Sequence, residues 1–142
     1  MIVIIRIHGK VNIKREIEET LKRLRLGRKY ACSLISEKDK SKMGMLKKVV
    51  SFVAFGEIEK SVLMRLIEKR GKILGENKSK KIDAGKIAEE ILNGGRPEKF
   101  GIKPFFRLHS PRGGIKSSRK QFPKGVLGNH KKEINKLIEK ML

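Results

Sequence analysis

The sequence lacks the residues on which several common protein classes depend. It has no tryptophan, one tyrosine and six phenylalanines, so its core must be built mainly from aliphatic side chains. The single cysteine, Cys32, excludes an internal disulfide framework and cysteine-rich zinc fingers. No stretch approaches the roughly 18 consecutive apolar residues of a membrane-spanning helix. The apolar start MIVIIRIHG is interrupted by Arg6 and has no small-residue cleavage site, so we expect a cytoplasmic protein without a signal peptide.

Carboxylates are scarce relative to cations. The 142 residues contain 36 Lys and Arg against 15 Asp and Glu, a formal net charge of +21. At this length two large domains are excluded, and such an excess of charge in one small domain is most readily offset by a polyanion. Nucleic acid is the leading partner class. There are two alternatives: a soluble basic domain without a polyanionic partner, and a protein that binds an anionic membrane surface. Against the second, no predicted helix carries a basic face opposite bulky aromatic side chains.

Groups for catalysis or metal binding are poorly placed in the sequence. The three histidines, His8, His109 and His130, form no HxxxH or HExxH pair, and no carboxylates mark a catalytic dyad. The stretch SPRGGIKSSRK lacks the spacing of a phosphate-binding P-loop. Cys32 lies in an apolar predicted strand, where its thiol should stay protonated and inert. We therefore predict no enzyme, no metal site, no cofactor and no small-molecule substrate.

Residues 1–57 carry the pattern of a β-α-β-α-β unit, which predicts an α+β fold with two helices on one face of a sheet. Predicted strands cover residues 2–8, 30–35 and 52–57, each short and rich in apolar residues. Helical apolar spacing predicts a first helix with Asn12 as its N-cap and Gly27 as its C-terminal signal. A charged turn and then a short helix starting at Met43 follow the second strand.

Three further helices are predicted in the rest of the chain. An apolar stripe from Ile58 to Ile67 ends at Gly71, and Asp83 can cap the next helix after the polar loop ENKSKK. Asn129 can cap the last one. We interpret these stripes as surfaces that dock onto the core, in residues 58–93 and 129–142, and not as partner-binding helices.

Between them, residues 94–128 form an irregular basic segment. From Gly94 to Lys132 the chain has eleven basic residues, one acid and all four prolines, which excludes a long helix. Four phenylalanines in the same stretch argue against simple disorder. Its arginines suit phosphates or base edges, and Gly113-Gly114 permit close backbone approach. Phe122 has two interpretations, a stacking surface for an unpaired base or an anchor into the domain.

The run FRLHSPRGG, followed by basic residues and by HKKEINKLIEKML, resembles the carboxy-terminal signature of the large-subunit ribosomal protein thirty family in its archaeal and eukaryotic members. The eukaryotic counterpart is called large-subunit ribosomal protein seven. RIHGKVNIKREIEETLKRLRL resembles the family's first strand and helix, and KMGMLKKVVSFVAFGEI its second helix and third strand. The resemblance extends over the whole chain and is weakest in residues 72–81. It implies the archaeal long form, with a ferredoxin-like core, a three-stranded antiparallel sheet and a helical and irregular basic extension.

The resemblance implies a structural, RNA-binding role. We expect a monomer in the large ribosomal subunit that binds ribosomal RNA beside neighbouring ribosomal proteins, away from membranes, and supports subunit assembly. Basic side chains of the signature segment, the second helix and the first turn are the expected RNA contacts: Arg107, His109, Arg112, Lys116, Arg119, Lys120, Lys124, Lys42, Lys47, Lys48 and Lys10.

Two rival functions follow from the same charge. A free architectural nucleic-acid-binding protein on DNA would need a groove-entering helix or β-ribbon, and no predicted helix is an obvious recognition helix. An RNA-modifying enzyme would need an acid, base or cofactor set that the sequence does not display.

Overall fold

A five-stranded mixed sheet forms the centre of this α+β fold in the computed structural model, which describes residues 1–73 and 83–142. The strands, in chain order, are β1 (Ile2–Arg6), β2 (Ala31–Ile35), β3 (Val53–Glu57), β4 (Phe105–Arg107) and β5 (Gly128–Asn129). Their order across the sheet is β4-β2-β1-β3-β5, and only the β3–β5 pair is parallel. The helices are α1 (Arg15–Arg23), α2 (Lys40–Val49), α3 (Lys60–Arg70), α4 (Ala84–Leu92) and α5 (Ile134–Met141).

The sheet is larger than the three strands expected from the sequence. Two short segments of the C-terminal half add to its edges: β4 pairs with residues 31–33 of β2, and β5 pairs with residues 54–55 of β3. β4 and β5 have only three and two residues, which is too short to show an alternation of apolar and polar side chains. These strands are therefore defined only by their long-range pairing. The sheet thus has five strands, two more than the sequence predicted for the core of residues 1–57.

Helices cover both faces of the sheet. The central strand β1 is buried along its whole length, as its uninterrupted IVII run requires. Its even residues, Ile2 and Ile4, pack with α1 and α2, while Val3 and Ile5 pack with apolar residues of α3, α4 and α5 on the other face. The approach of α5 to β3 is close, because a Cβ on Gly56 would lie within 2.9 Å of the Ile134 side chain.

The ends of α1 differ from the sequence prediction. Asn12 does not cap the helix; it has a φ of +58° in the preceding turn, and Lys14 is the N-cap residue without a side-chain bond. At the other end Arg25, not Gly27, adopts the left-handed conformation, with a φ of +64°. The amides of Arg25 and Leu26 donate to the carbonyls of Lys22 and Leu21, which is a Schellman turn with arginine in the position that glycine usually takes.

Aspartates cap two of the other helices. Asp39 accepts a hydrogen bond from the Lys42 amide at 3.2 Å, so α2 starts at Lys40 rather than at the predicted Met43. The predicted Asp83 cap is confirmed by a bond from the Lys86 amide. The predicted loop ENKSKK, residues 76–81, lies outside the described residues.

Asn129 does not cap α5 directly. It pairs within β5, and its side chain accepts a bond from the Lys131 amide, at the start of the short 3-10 turn Lys131–Glu133 that precedes the helix. A different asparagine, Asn135, fixes α5 to the sheet by accepting from the Glu59 amide and donating to the Glu57 carbonyl. The helix start is therefore held by side chains on both sides of the turn.

The last residue of β1, Arg6, is completely buried, and its guanidinium joins three parts of the chain. It donates to the carbonyls of His8 and Gly9 in the turn after β1, and to the Leu26 carbonyl after α1, at 2.8 to 3.1 Å. Its remaining partner is the Glu18 carboxylate of α1, at 2.9 Å. Every bond compensates for part of the desolvation of a buried cation.

His130 is a buried ionisable group at the β5 edge of the sheet. It lies directly after β5, its Nε2 is bonded to the Val126 carbonyl, and its ring lies against Phe122. Burial lowers the pKa of His130 below its ordinary value, which keeps the imidazole neutral beneath the Phe122 ring.

We predict that replacing Arg6 by methionine destabilises the fold. The change leaves three carbonyls and the Glu18 carboxylate without their shared donor, and the free energy of unfolding should fall by about 3 kcal/mol. Arg15→Met removes the same charge from a side chain that is 94% exposed and should cost less than about 0.5 kcal/mol. Urea unfolding measures both, and equal losses would contradict the role assigned to Arg6.

A second prediction concerns pH. Because the folded-state pKa of His130 lies below 6.5, the unfolded chain binds a proton more readily than the folded chain as pH falls through 6.5. The contribution of His130 to stability is therefore present above that pH and is lost as pH falls toward the folded-state pKa. His130→Gln should flatten this part of the dependence of melting temperature on pH. An unchanged pH dependence in the variant would contradict the prediction.

Candidate nucleic-acid interface

A groove at the β4 edge of the sheet brings together five cations from three parts of the chain. It has a volume of about 270 Å³ and contains no carboxylate among the described residues that line it. We call it the basic groove and define it by its cations: Lys10, Lys22, Arg25, Arg28 and Arg107. All five are exposed. Positive charges clustered in a concave surface create a focused electrostatic potential that attracts polyanions.

Local structure places each of these cations. Lys10 follows the turn after β1, and Lys22 lies in the last turn of α1. Arg25 and Arg28 come from the connection between α1 and β2, where Arg25 has a positive φ. For a non-glycine residue this conformation costs roughly 1–2 kcal/mol. Arg107 arrives from β4, whose pairing with Ala31 sets it beside the end of α1.

An aromatic ring lines the same groove. Phe105 precedes Arg107 by two residues on β4, so both side chains lie on one face of the strand. The Arg107 guanidinium carbon is 5.9 Å from the centroid of the Phe105 ring, within cation–π range. The ring limits the positions that the guanidinium can take and leaves its N–H groups available to a ligand.

A second group of cations lies on residues 112–124, which we call the basic loop. Five exposed cations occur there without an acid: Arg112, Lys116, Arg119, Lys120 and Lys124. Two backbone hydrogen bonds attach the loop to the fold. The Arg112 amide donates to the Lys140 carbonyl at 3.0 Å, and the Val126 amide donates to the Ser117 carbonyl at 2.9 Å. Gly113 and Gly114 both have positive φ, a pair of conformations that side chains would resist.

His109, an expected RNA contact, is engaged within the chain. It is half-buried, and its ring nitrogens lie within hydrogen-bond distance of the Ser110 and Leu142 carbonyls. Its amide also donates to the Met141 carbonyl. The residue thus ties the end of β4 to the end of α5.

The expected contacts on α2 fall into three environments. Lys47 is exposed, whereas Lys48 forms an ion pair and hydrogen bond with Glu16 of α1. That contact holds the pKa of Glu16 below its ordinary value. Lys42 is half-buried at a larger cavity of about 660 Å³. This cavity mixes cations with two carboxylates, Asp39 and Glu98, and so favours a polyanion less than the basic groove does.

The structure thus brings two of the sequence-predicted contacts, Lys10 and Arg107, into one groove and gathers five others on the basic loop. The sequence interpretation missed Lys22, Arg25 and Arg28. Their signal is the density of cations in KRLRLGRK, residues 22–29.

The described residues give little support to metal binding, to a reactive cysteine or to a membrane-spanning helix. Within residues 1–73 and 83–142 there is no group of three or more His, Cys, Asp or Glu side chains that could hold a metal ion. Cys32 is fully buried, and burial raises the pKa of its thiol, as predicted for an inert cysteine. None of the helices in this part of the chain has the length and apolar character needed to cross a membrane.

Comparison with known proteins adds an independent finding. Residues 2–53 match the family model described as ribosomal protein L30p/L7e. The chain is 40% identical to the large ribosomal subunit protein uL30 of Aeropyrum pernix, over 98% of this chain and 97% of that protein. It is 39% identical to uL30 of Archaeoglobus fulgidus over 99% of each. It is 40% identical to uL30 of Korarchaeum cryptofilum over 100% of this chain and 95% of that one. The chain belongs to the ribosomal protein L30p/L7e family.

Proposed function

We propose that this chain is a structural, non-enzymatic component of the large ribosomal subunit that binds ribosomal RNA and supports assembly of the subunit in the cytoplasm. The observation that carries the proposal is the basic groove, where five exposed cations converge without a lining carboxylate. The names of its relatives, large ribosomal subunit protein uL30, indicate the particle in which that groove is used.

In the basic groove, binding rests on phosphate contacts. Arginine forks suit phosphate oxygens bidentately, and lysines supply point charges beside them. These contacts fix the position of the protein on folded RNA and carry little sequence information, so recognition depends on backbone shape. Phe105 and Arg107 hold each other in place, which reduces the side-chain ordering that binding requires.

The basic loop supplies a second contact area. It begins beyond β4, at one edge of the sheet, and ends before β5, at the other edge. Four interstrand spacings of about 4.8 Å separate these edges by roughly 19 Å. Cations are the proposed contacts in the two areas and on α2, and all but the half-buried Lys42 are exposed: Lys10, Lys22, Arg25, Arg28 and Arg107, then Arg112, Lys116, Arg119, Lys120 and Lys124, then Lys42 and Lys47. His109 and Lys48 already have partners within the chain and are secondary candidates. Arg25 also has a partner, the Glu98 carboxylate at 3.9 Å, but both side chains of this pair are exposed to solvent.

The finer features of the fold and assembly belong to the same proposal. We propose that residues 1–57 have a ferredoxin-like fold. The antiparallel order β2-β1-β3 supports this, as does the packing of α1 and α2 on one face of the sheet. We further propose that the chain acts as a monomer, with ribosomal RNA and neighbouring ribosomal proteins as its partners.

Sedimentation tests the assignment to the particle. In a cell lysate separated on a sucrose gradient, the protein should migrate with the large ribosomal subunit and leave that fraction when salt is raised. Association with chromatin instead would overturn the proposal in favour of a free architectural nucleic-acid-binding protein.

The salt dependence of binding tests the basic groove. For the wild type, contact with about six to ten phosphates predicts that affinity for transcribed ribosomal RNA falls roughly 10³- to 10⁵-fold between about 50 and 200 mM salt. Replacing Arg28 and Arg107 by glutamine removes two contacts, so the slope of log K against log salt should become shallower by about 1.5.

The matched control changes Lys69 of α3 and Lys86 of α4 to glutamine, which removes the same charge from exposed positions that do not line the basic groove. Its slope should stay close to that of the wild type. Equal effects of the two double variants would show that overall charge, and not the groove, governs binding.

A further inference from the structure

We propose that Phe122 is a stacking platform for an unpaired nucleobase of single-stranded RNA, at the far edge of the sheet from the basic groove. The inference rests on the proposed function, because it assigns a base contact within the basic loop of an RNA-binding protein. It goes beyond that function by adding an aromatic contact to a surface otherwise defined by phosphate binding.

The Phe122 ring is exposed on one side and supported on the other. It is 38% exposed, one of two large apolar side chains that lie open to solvent among the described residues. Its ring centroid is 4.5 Å from that of His130, with an angle of 34° between the planes. His130 is itself buried and bonded to the Val126 carbonyl, so the support beneath the phenyl ring is fixed.

The backbone around Phe122 is closed on itself, which limits collapse of the ring into the core. The Phe122 amide donates to the Leu127 carbonyl at 2.8 Å, and the Leu127 amide donates to the Lys120 carbonyl at 3.2 Å. A Cβ on Gly125 would lie 2.1 Å from the Lys120 carbonyl oxygen, so the loop closes tightly at this glycine. Residues 120–127 thus form a small tied turn in which Phe122 lies at the base, next to its backbone partner Leu127.

The charges around the ring favour a nucleotide over a protein side chain. Arg119, Lys120 and Lys124 flank Phe122 in sequence, and all three are exposed. A neighbouring protein covering the ring would have to neutralise these cations with several carboxylates. A nucleotide supplies a flat apolar base and a phosphate in one unit, which is the combination of stacking and cation contacts that single-strand sites use.

Two substitutions of phenylalanine by leucine test the platform. Phe122→Leu keeps an apolar side chain over His130 and all charges but removes the aromatic face, so affinity for a twelve-nucleotide single-stranded oligoadenylate should fall about tenfold. The slope of log K against log salt should not change, because no cation is lost. Phe52→Leu is the matched control, since Phe52 also lies against a histidine, His8, but in residues 1–57, away from the basic loop. Its affinity should match that of the wild type.

A fluorescent reporter keeps the test decisive if the leucine variant folds poorly. The natural chain has no tryptophan, so Phe122→Trp introduces a single tryptophan at the site, which can be excited selectively beyond the absorption of Tyr30. Oligoadenylate should quench its fluorescence by stacking, whereas inorganic polyphosphate of the same charge should bind without comparable quenching.

The outcomes separate this inference from the proposed function. Salt-dependent RNA binding by the wild type together with undiminished affinity of Phe122→Leu, or equal quenching by polyphosphate, would overturn the stacking platform alone. Reduced affinity accompanied by a shallower salt slope would also overturn it, because the variant would then have displaced the flanking cations. Absence of salt-dependent RNA binding by the wild type would overturn the proposed function itself.

Discussion

The buried guanidinium of Arg6 connects the end of β1 to the two turns that carry most of the basic groove. Its bonds to the His8 and Gly9 carbonyls hold the turn that leads to Lys10. Its bond to the Leu26 carbonyl holds the connection that carries Arg25 and Arg28. One cation inside the fold therefore positions three cations outside it. The pairing with Glu18 neutralises Arg6 within the protein, so its charge does not add to the repulsion in the groove.

The positive charge of the basic groove explains why the partner should be a polyanion. Five cations of one sign in the basic groove repel each other, and this repulsion lowers the stability of the free protein. The left-handed backbone at Arg25 adds local strain, where glycine would close the Schellman turn without it. The proposed phosphate binding would offset this repulsion and, by mass action, stabilise the folded state. A merely solvated basic surface gives no reason for charges from three separate segments to converge.

Local patterns predicted some local features, although they misplaced the start of α1 and of α2, and they failed where distant residues decide the outcome. The Asp83 cap and the apolar stripe of α3 depend on neighbours within a few positions, so both could be predicted. Burial of Arg6 could not, because alternation in Ile5-Arg6-Ile7-His8 is equally compatible with an outward-facing arginine. The groove depends on the pairing of β4 with β2, which places Arg107 beside the end of α1. Without that pairing, Arg25 and Arg28 looked like ordinary surface charges.

The same long-range pairing links the fold to the RNA binding proposed at both sheet edges. An exposed strand edge is a template for pairing with another protein chain, and β4 and β5 close the edges of β2 and β3 with only a few residues each. New edges remain, but Arg107 lies on β4, and Lys131 and Lys132 come after His130, the residue that follows β5. Cations at such edges repel a second copy of this basic chain and attract RNA. The C-terminal half therefore protects the sheet edges with short segments that also carry part of the proposed binding surface.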